Sequence, residues 1–347
     1  MKIVFVGVIE RPWMSGWQRM TALQQLGHDV APVSITATHR QTSWDSLQRR
    51  VLPLAVYEKT LHGKALQCNG DVLRTVLDYR PDLVWLEWPR LITGETIAQI
   101  KRNLPHTRVL SFQNDNPFAD RKYAAHGWGR FFHAIPEYDM HFVKRRTDIA
   151  RYAALGAKRT ELFVDGYCEE LFYPEASTGN QFPVVFVGTS LDYRVGVLEK
   201  LTRHFGLDVH IFGERWNRTS LYWTHRRLLH APAGGVQYRR VLCAAKIALG
   251  FVSHSNQDDW TMRTFEVPAC GAFFLTERTE AHQQFYEEGR EAEFFSSPEE
   301  CRDKILYYLS HDSQRARIAA AGHARCVKSG YGLRPRMQEA LRQVQAG

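Results

Sequence analysis

The feature that most limits what this chain can fold into is a repeated alternation of short apolar runs with helical segments. Glycine or a polar loop marks each changeover. Residues 2–8 read as a strand, 18–26 as a helix stopped by Gly27, and 28–33 as the next strand. Strand, glycine turn, helix, strand opens a doubly wound parallel α/β sheet. The rhythm continues with a helix over 70–79, a strand over 81–87, a helix over 95–102 and strands over 107–112, 140–143 and 161–164. The first turn lacks the Gly-x-Gly-x-x-Gly pattern, so it is not a dinucleotide fingerprint.

Residues 165–182 carry Gly166, Pro174, Ser177, Gly179 and Asn180, the composition of a linker. The alternation then starts afresh. Strands are expected over 183–188, 208–212, 246–251 and 272–276, with helices over 194–205, 237–244, 298–310 and 312–326. The expected domains are 1–165 and 183–330, joined by a linker over 166–182. Residues 331–347 follow as a closing helix. At 347 residues two domains are the ordinary outcome, each large enough for its own core.

Composition places the chain among globular proteins, with 44% hydrophobic and 24% charged residues. The net charge of +8 is concentrated in runs at Lys144-Arg145-Arg146, His225-Arg226-Arg227 and Arg239-Arg240. Nucleic acid, anionic lipid headgroups and a nucleotide diphosphate would all favour such charge. No RNA- or DNA-binding motif is present, so nucleic acid is not an expected partner. The six cysteines form no Cys-x-x-Cys pair and no zinc spacing. They read as reduced thiols of a cytoplasmic protein. The apolar N-terminus is too short for a signal peptide, and no window reaches the length of a membrane span. Trp13, Trp17 and the basic residues point to peripheral contact with the inner face of a membrane.

The chemistry is most legible in Thr261-Met262-Arg263-Thr264-Phe265-Glu266-Val267-Pro268-Ala269-Cys270-Gly271, followed by the apolar run to Thr276. A hydroxyl of Thr261 or Thr264 is expected to cap a helix start, and Gly271 to end the helix in a left-handed turn. A helix start favours an anion. Arg263 adds a charged donor there, and Glu266, one turn on, is placed to accept hydrogen bonds from a ribose. Diphosphate beside the arginine and sugar hydroxyls on the acid describe a nucleotide-sugar site.

This segment resembles the donor site of GT-B glycosyltransferases, which are built from two Rossmann-like domains. In the retaining Glu-x7-Glu group two acids flank that helix start. Glu266, inside Phe-Glu-Val-Pro-Ala-Cys-Gly, fits the second, and Asp258, eight positions earlier, stands for the first. The wording Thr-x-Arg-Thr-Phe-Glu is closer to the spore-maturation-type (CgeB-like) group. The resemblance covers most of 184–327 and, more weakly, the N-terminal half. It implies an α/β GT-B fold, two Rossmann-like doubly wound domains facing an interdomain cleft, with the helix within 331–347 crossing back to the first domain. It also implies a glycosyltransferase that moves a sugar from a UDP-, GDP- or TDP-type donor to a saccharide, lipid-linked or protein acceptor.

Other residues fall into place around that expectation. Gly188 and Thr189 follow the first strand of the second domain and are expected to hold donor phosphates, with Arg194 neutralising charge at the next helix start. His254 and Asn256 follow the strand over 246–251 and are candidates for the sugar or diphosphate. Arg263 and Thr264 are assigned to the donor, Arg263 also to the leaving diphosphate. Asp115, in the strand-end loop Gln113-Asn114-Asp115-Asn116-Pro117-Phe118, is the preferred base, with Glu10 and Glu87 competing. Glu10, Trp13, Trp17 and Glu87 line the expected acceptor side. Retention and inversion both remain open, and neither a cofactor nor a catalytic metal is expected. Two other readings share the fold. One is a sugar-nucleotide epimerase, and the other a non-catalytic surface-layer assembly or binding protein.

Overall fold

A computed structural model describes residues 1–35, 51, 54–119, 128–175 and 181–346, with backbone alone for 54–60. Ser177, Gly179 and Asn180 of the expected linker lie outside the described residues. The chain divides into two compact units, Met1–Val164 with Met337–Gly347, and Asp165–Arg336.

The first unit carries a six-stranded sheet in the order β2-β1-β3-β4-β5-β6. Its strands are β1 (Lys2–Gly7), β2 (Asp29–Ser34), β3 (Leu83–Glu87), β4 (Arg108–Gln113), β5 (Met140–Val143) and β6 (Thr160–Leu162). Every pairing is parallel. The central strands are buried on both faces, which explains why they read as continuous apolar runs. Helices such as Ser15–Gln25, Leu54–Tyr79 and Gly94–Asn103 supply the crossovers. The second of these begins well before the expected residue 70. Thr93 caps the third by accepting from the Thr96 N–H. Strand order reverses direction between β1 and β3, the switch point of this sheet.

The second unit repeats the plan with its own core. Its order is β12-β11-β10-β7-β8-β9, again all parallel. The strands are β7 (Phe182–Val187), β8 (Val209–Phe212), β9 (Leu229–His230), β10 (Ala245–Gly250), β11 (Phe274–Glu277) and β12 (Glu293–Phe295). The switch point lies between β7 and β10. Sequence periodicity misses β9 and β12, which have two and three residues and too little length for a pattern. The expected helix over 194–205 is α-helical only over Tyr193–Glu199 and continues as a π-turn over Lys200–His204. All six cysteines are free thiols. Among the described residues no helix is long and apolar enough to cross a membrane.

Candidate functional site

In an open parallel sheet, ligands bind beyond the carboxyl ends of the strands at the switch point. In the second unit that place is framed by the loops after β7 and β10. Gly188 closes β7, its N–H donating to the Phe212 carbonyl at 2.8 Å and its own carbonyl accepting from the Trp216 indole at 2.8 Å. A Cβ on neighbouring Gly213 would lie 1.9 Å from the Gly188 carbonyl oxygen, so only glycine lets the two backbones pass. Gly213→Ala is therefore expected to displace this loop and cost roughly 1–3 kcal/mol of stability. An unchanged denaturation midpoint would show that the loop is not fixed by this approach.

Two arginines meet here. Arg263 is half-buried, and its Nε donates to the Val187 carbonyl at 2.6 Å. Its Nη2 lies 3.4 Å from where a Gly188 Cβ would stand. Arg194, only 7% exposed, donates to the Val252 carbonyl at 3.2 Å, while its Nε has no partner among the described residues. Burial, and then the neighbouring charge of Arg263, lower the Arg194 pKa from its ordinary value. Two like charges that act on each other, one of them desolvated, favour an anion nearby. Thr189, the next residue after Gly188, is half-buried.

The loop after β10 is bound to the loop after β7. Asp192, at a positive φ of 54°, accepts from the Ser253 hydroxyl at 2.9 Å and the Ser255 hydroxyl at 2.8 Å. Burial opposes its ionisation, but the serine hydrogen bonds outweigh it and hold its pKa below the usual value. His254 stacks on Tyr193 at 4.7 Å, and its Nε2 lies 2.7 Å from Glu277 Oε1. The other Glu277 oxygen accepts from the Val252 N–H at 2.7 Å. Asp192 and Glu277 are absent from the sequence-based assignment. Asp192 precedes a helix and reads as an ordinary cap. Glu277 opens the polar stretch Glu277-Arg278-Thr279-Glu280, which reads as surface. Asn256 and Asp258 are buried together, the Asn256 amide donating to Asp258 at 3.2 and 3.3 Å.

The helix Arg263–Ala269 corrects part of the expectation. Its N-cap is Met262, with no side-chain cap. The N–H groups of Thr264, Phe265 and Glu266 already donate to Thr261 and Met262 carbonyls, so the helix start offers few free donors. Thr264 is fully buried; its hydroxyl accepts from the Thr261 N–H at the helix start at 3.2 Å, as expected of a capping hydroxyl, and pairs with His282 Nε2 at 2.8 Å, so it faces the core instead of a ligand. Gly271 does end the helix, with φ of +69°. Glu266 is 6% exposed and has no hydrogen-bond partner among the described residues. The Tyr238 hydroxyl is near it without reaching hydrogen-bond geometry. Burial pushes the Glu266 carboxyl up to about 7, against the pull of Arg263.

The acceptor-side candidates all lie in the first unit. Glu87 is already engaged. At the end of β3 it is 1% exposed and paired bidentately with Arg19, at 2.5 and 3.0 Å. That arginine also lies over the Phe112 ring at 4.7 Å. A carboxylate so engaged is a structural partner and not a free base. Asp115 sits half-buried in a bend after β4, while Asn116 supplies the turn by accepting from the Phe118 N–H at 2.9 Å. Glu10 is exposed and accepts from the Ser34 hydroxyl. Trp13 is 47% exposed with the Arg11 guanidinium 5.1 Å above its ring, and Trp17 is half-buried.

The two parallel sheets give the chain the GT-B fold. Across 100% of the chain it superposes on 99% of sucrose-phosphate synthase from Thermosynechococcus elongatus, with a TM-score of 0.70 and 13% identity. HepE of Anabaena, solved with UDP and glucose, matches with 100% of both chains covered, a TM-score of 0.66 and 11% identity. A putative UDP-N-acetylglucosamine 2-epimerase from Listeria monocytogenes matches over 99% of this chain and 96% of that one, at 0.58 and 12%. No curated protein matches the sequence. Residues 194–342 match a family model described as glycosyl transferase-like. Arg194, Arg263 and Glu266 all lie within the matched residues.

Proposed function

We propose that the protein is a glycosyltransferase that takes a sugar from a nucleoside diphosphate and passes it to a saccharide, lipid-linked or protein acceptor without a catalytic metal. The observation that carries this is Arg263 held beside Gly188, with the buried Arg194 near enough to feel its charge and the buried acid Glu266 one helical turn from Arg263. A diphosphate satisfies the two cations, and ribose hydroxyls satisfy the acid. The glycosyl transferase-like family match supports the class. The solved neighbour HepE holds UDP and glucose, which supports a nucleotide-sugar donor. In this reading Asp192, Ser253 and Ser255 hold the two loops in register, and His254 faces the donor phosphates or sugar. Membership of the spore-maturation-type subgroup, and a place at the inner face of a membrane, belong to the same proposal. The test is a thermal-shift screen with UDP, GDP, TDP and CMP donors. Stabilisation reaches about 2.7 kcal/mol at a hundred times the dissociation constant, and a flat response to all of them would sink the proposal.

The Listeria neighbour keeps epimerisation in view as a second reading. Incubation with the bound donor alone separates the two. Epimerised sugar nucleotide without acceptor would favour that reading over transfer.

Glu266 adds a pH dependence. A carboxylate accepts from two ribose hydroxyls, whereas a protonated acid does not, so donor binding favours the ionised form. With a carboxyl at about 7, donor affinity is expected to fall roughly tenfold from pH 8 to pH 6. Glu266→Gln should weaken binding at pH 8 and flatten the profile. A steep profile retained in Glu266→Gln would assign the titration elsewhere. The same burial affects folding in the opposite sense. A folded value raised above 4.5 means stability is lost as pH rises from about 4.5 through 7. Glu266→Gln should therefore gain more stability at pH 8 than at pH 5.

A further inference from the structure

Between β8 and β9 the chain makes an excursion over residues 213–228 that the donor site uses only at its root. The root is firm. Trp216, Leu221 and Leu228 are buried, and the Trp216 indole is the donor to Gly188 already described. The tip is different. Trp223, in the single turn Leu221–Thr224, is 82% exposed. Its ring stands edge-on to Tyr222 at 5.1 Å, and the Arg226 guanidinium lies over the other aromatic at 4.3 Å. Arg215, Arg218, Arg226 and Arg227 are all exposed on the excursion, and Arg203 donates to its Ser220 hydroxyl at 2.9 Å. Of these, Arg227 is paired with Asp208 at 2.7 Å. Arg215, Trp216, Tyr222, Arg226 and His230 also line a hollow of about 280 Å³.

A tryptophan held out in water leaves a large apolar surface unburied, and nothing in its own unit covers it. Indole rings are at their most favourable at the headgroup level of a bilayer, with an apolar face inward and the N–H wet. Arginines around such a ring add attraction to anionic lipid, each worth about fivefold in affinity. A nucleic-acid strand would instead ask for several rings along a groove.

We propose that this excursion docks the second unit on an anionic lipid bilayer, with Trp223 entering the headgroup layer and the arginine-lined hollow receiving a lipid phosphate. Because the excursion leaves from the carboxyl edge of the sheet, docking brings the edge that carries Arg194 and Arg263 towards the membrane surface. That would suit a lipid-linked acceptor, but the docking itself does not depend on the donor reading. It also moves the expected membrane contact away from Trp13 and Trp17.

The test uses the full chain with vesicles of phosphatidylcholine alone and of phosphatidylcholine with 30% phosphatidylglycerol, the latter composition roughly that of a moderately anionic surface. Binding is expected only to the anionic vesicles, to weaken with salt, and to be quenched by brominated lipid through Trp223. Trp223→Ala should abolish that quenching and lower vesicle affinity about tenfold, and Arg218→Glu with Arg226→Glu should lower it by more than about 25-fold. Nucleotide-induced thermal shifts should be unchanged in both variants, so loss of docking and failure of the donor reading are distinguishable. Equal binding to both vesicle types, wild-type affinity in the variants, or displacement from vesicles by a short oligonucleotide would each overturn the proposal.

Discussion

Arg263→Ala is expected to lower turnover by roughly 10²–10³-fold while raising the donor KM far less. The argument starts from how the side chain is held. Its Nε is committed to the Val187 carbonyl at 2.6 Å, so the guanidinium is fixed beside Gly188 before any ligand arrives. Under the proposed reaction, the sugar–phosphate bond breaks and negative charge grows on the diphosphate. A preorganised cation at that point is worth more in the transition state than in the ground state. Arg194 remains in the variant and still attracts the diphosphate, which is why the KM should move little. Arg263→Lys should recover only part of the loss, because an ammonium cannot both hold the Val187 carbonyl and reach the phosphate as a planar fork. Chelator should leave wild-type turnover unchanged. Abolition by chelator, restored by Mn²⁺, would overturn the arginine-based mechanism. A loss confined to KM would reduce Arg263 to a binding residue.

How much of this was readable in the sequence differs by level. Both sheets were legible because parallel strands buried on two faces leave continuous apolar runs, as in Leu83–Glu87 and Ala245–Gly250. The proximity of Arg263, Glu266 and the Gly188 loop was also legible. Helical spacing fixes the first two on one side, and the glycine closes the first strand of its unit. The misread positions share one cause, tertiary hydrogen bonding that no local pattern encodes. Thr264 reads as a ligand as well as a cap, yet its hydroxyl is taken up by the Thr261 N–H and by a histidine 18 positions later. Glu87 reads as a candidate base, yet an arginine 68 positions earlier neutralises it. Glu277 was invisible for the converse reason. Its two partners, Val252 and His254, reach it only because β10 and β11 are neighbours in the sheet.

The Arg19–Glu87 pair gives the largest expected effect on stability. Both side chains are essentially without solvent, at 0% and 1% exposure, beside Gly7 and Gly16 at the switch point of the first sheet. Taking two charges out of water is costly, and their attraction compensates only because the geometry is bidentate. Removing one partner breaks a buried, bidentate charge pair and leaves the surviving group desolvated without that bond. Glu87→Ala is therefore expected to destabilise by about 3–5 kcal/mol, read as a lower denaturant midpoint with an unchanged slope. Arg19→Met should cost a comparable amount, since the carboxylate is then the stranded group. In a cycle built on Arg19→Met and Glu87→Leu, the double variant should cost much less than the sum of its two singles, because it replaces an ion pair by apolar groups of similar volume. Additive losses in the double variant would mean that each side chain acts through packing alone. A Glu87→Ala variant that kept its stability but lost transfer activity would return Glu87 to the list of candidate bases and displace Asp115 as the first to mutate.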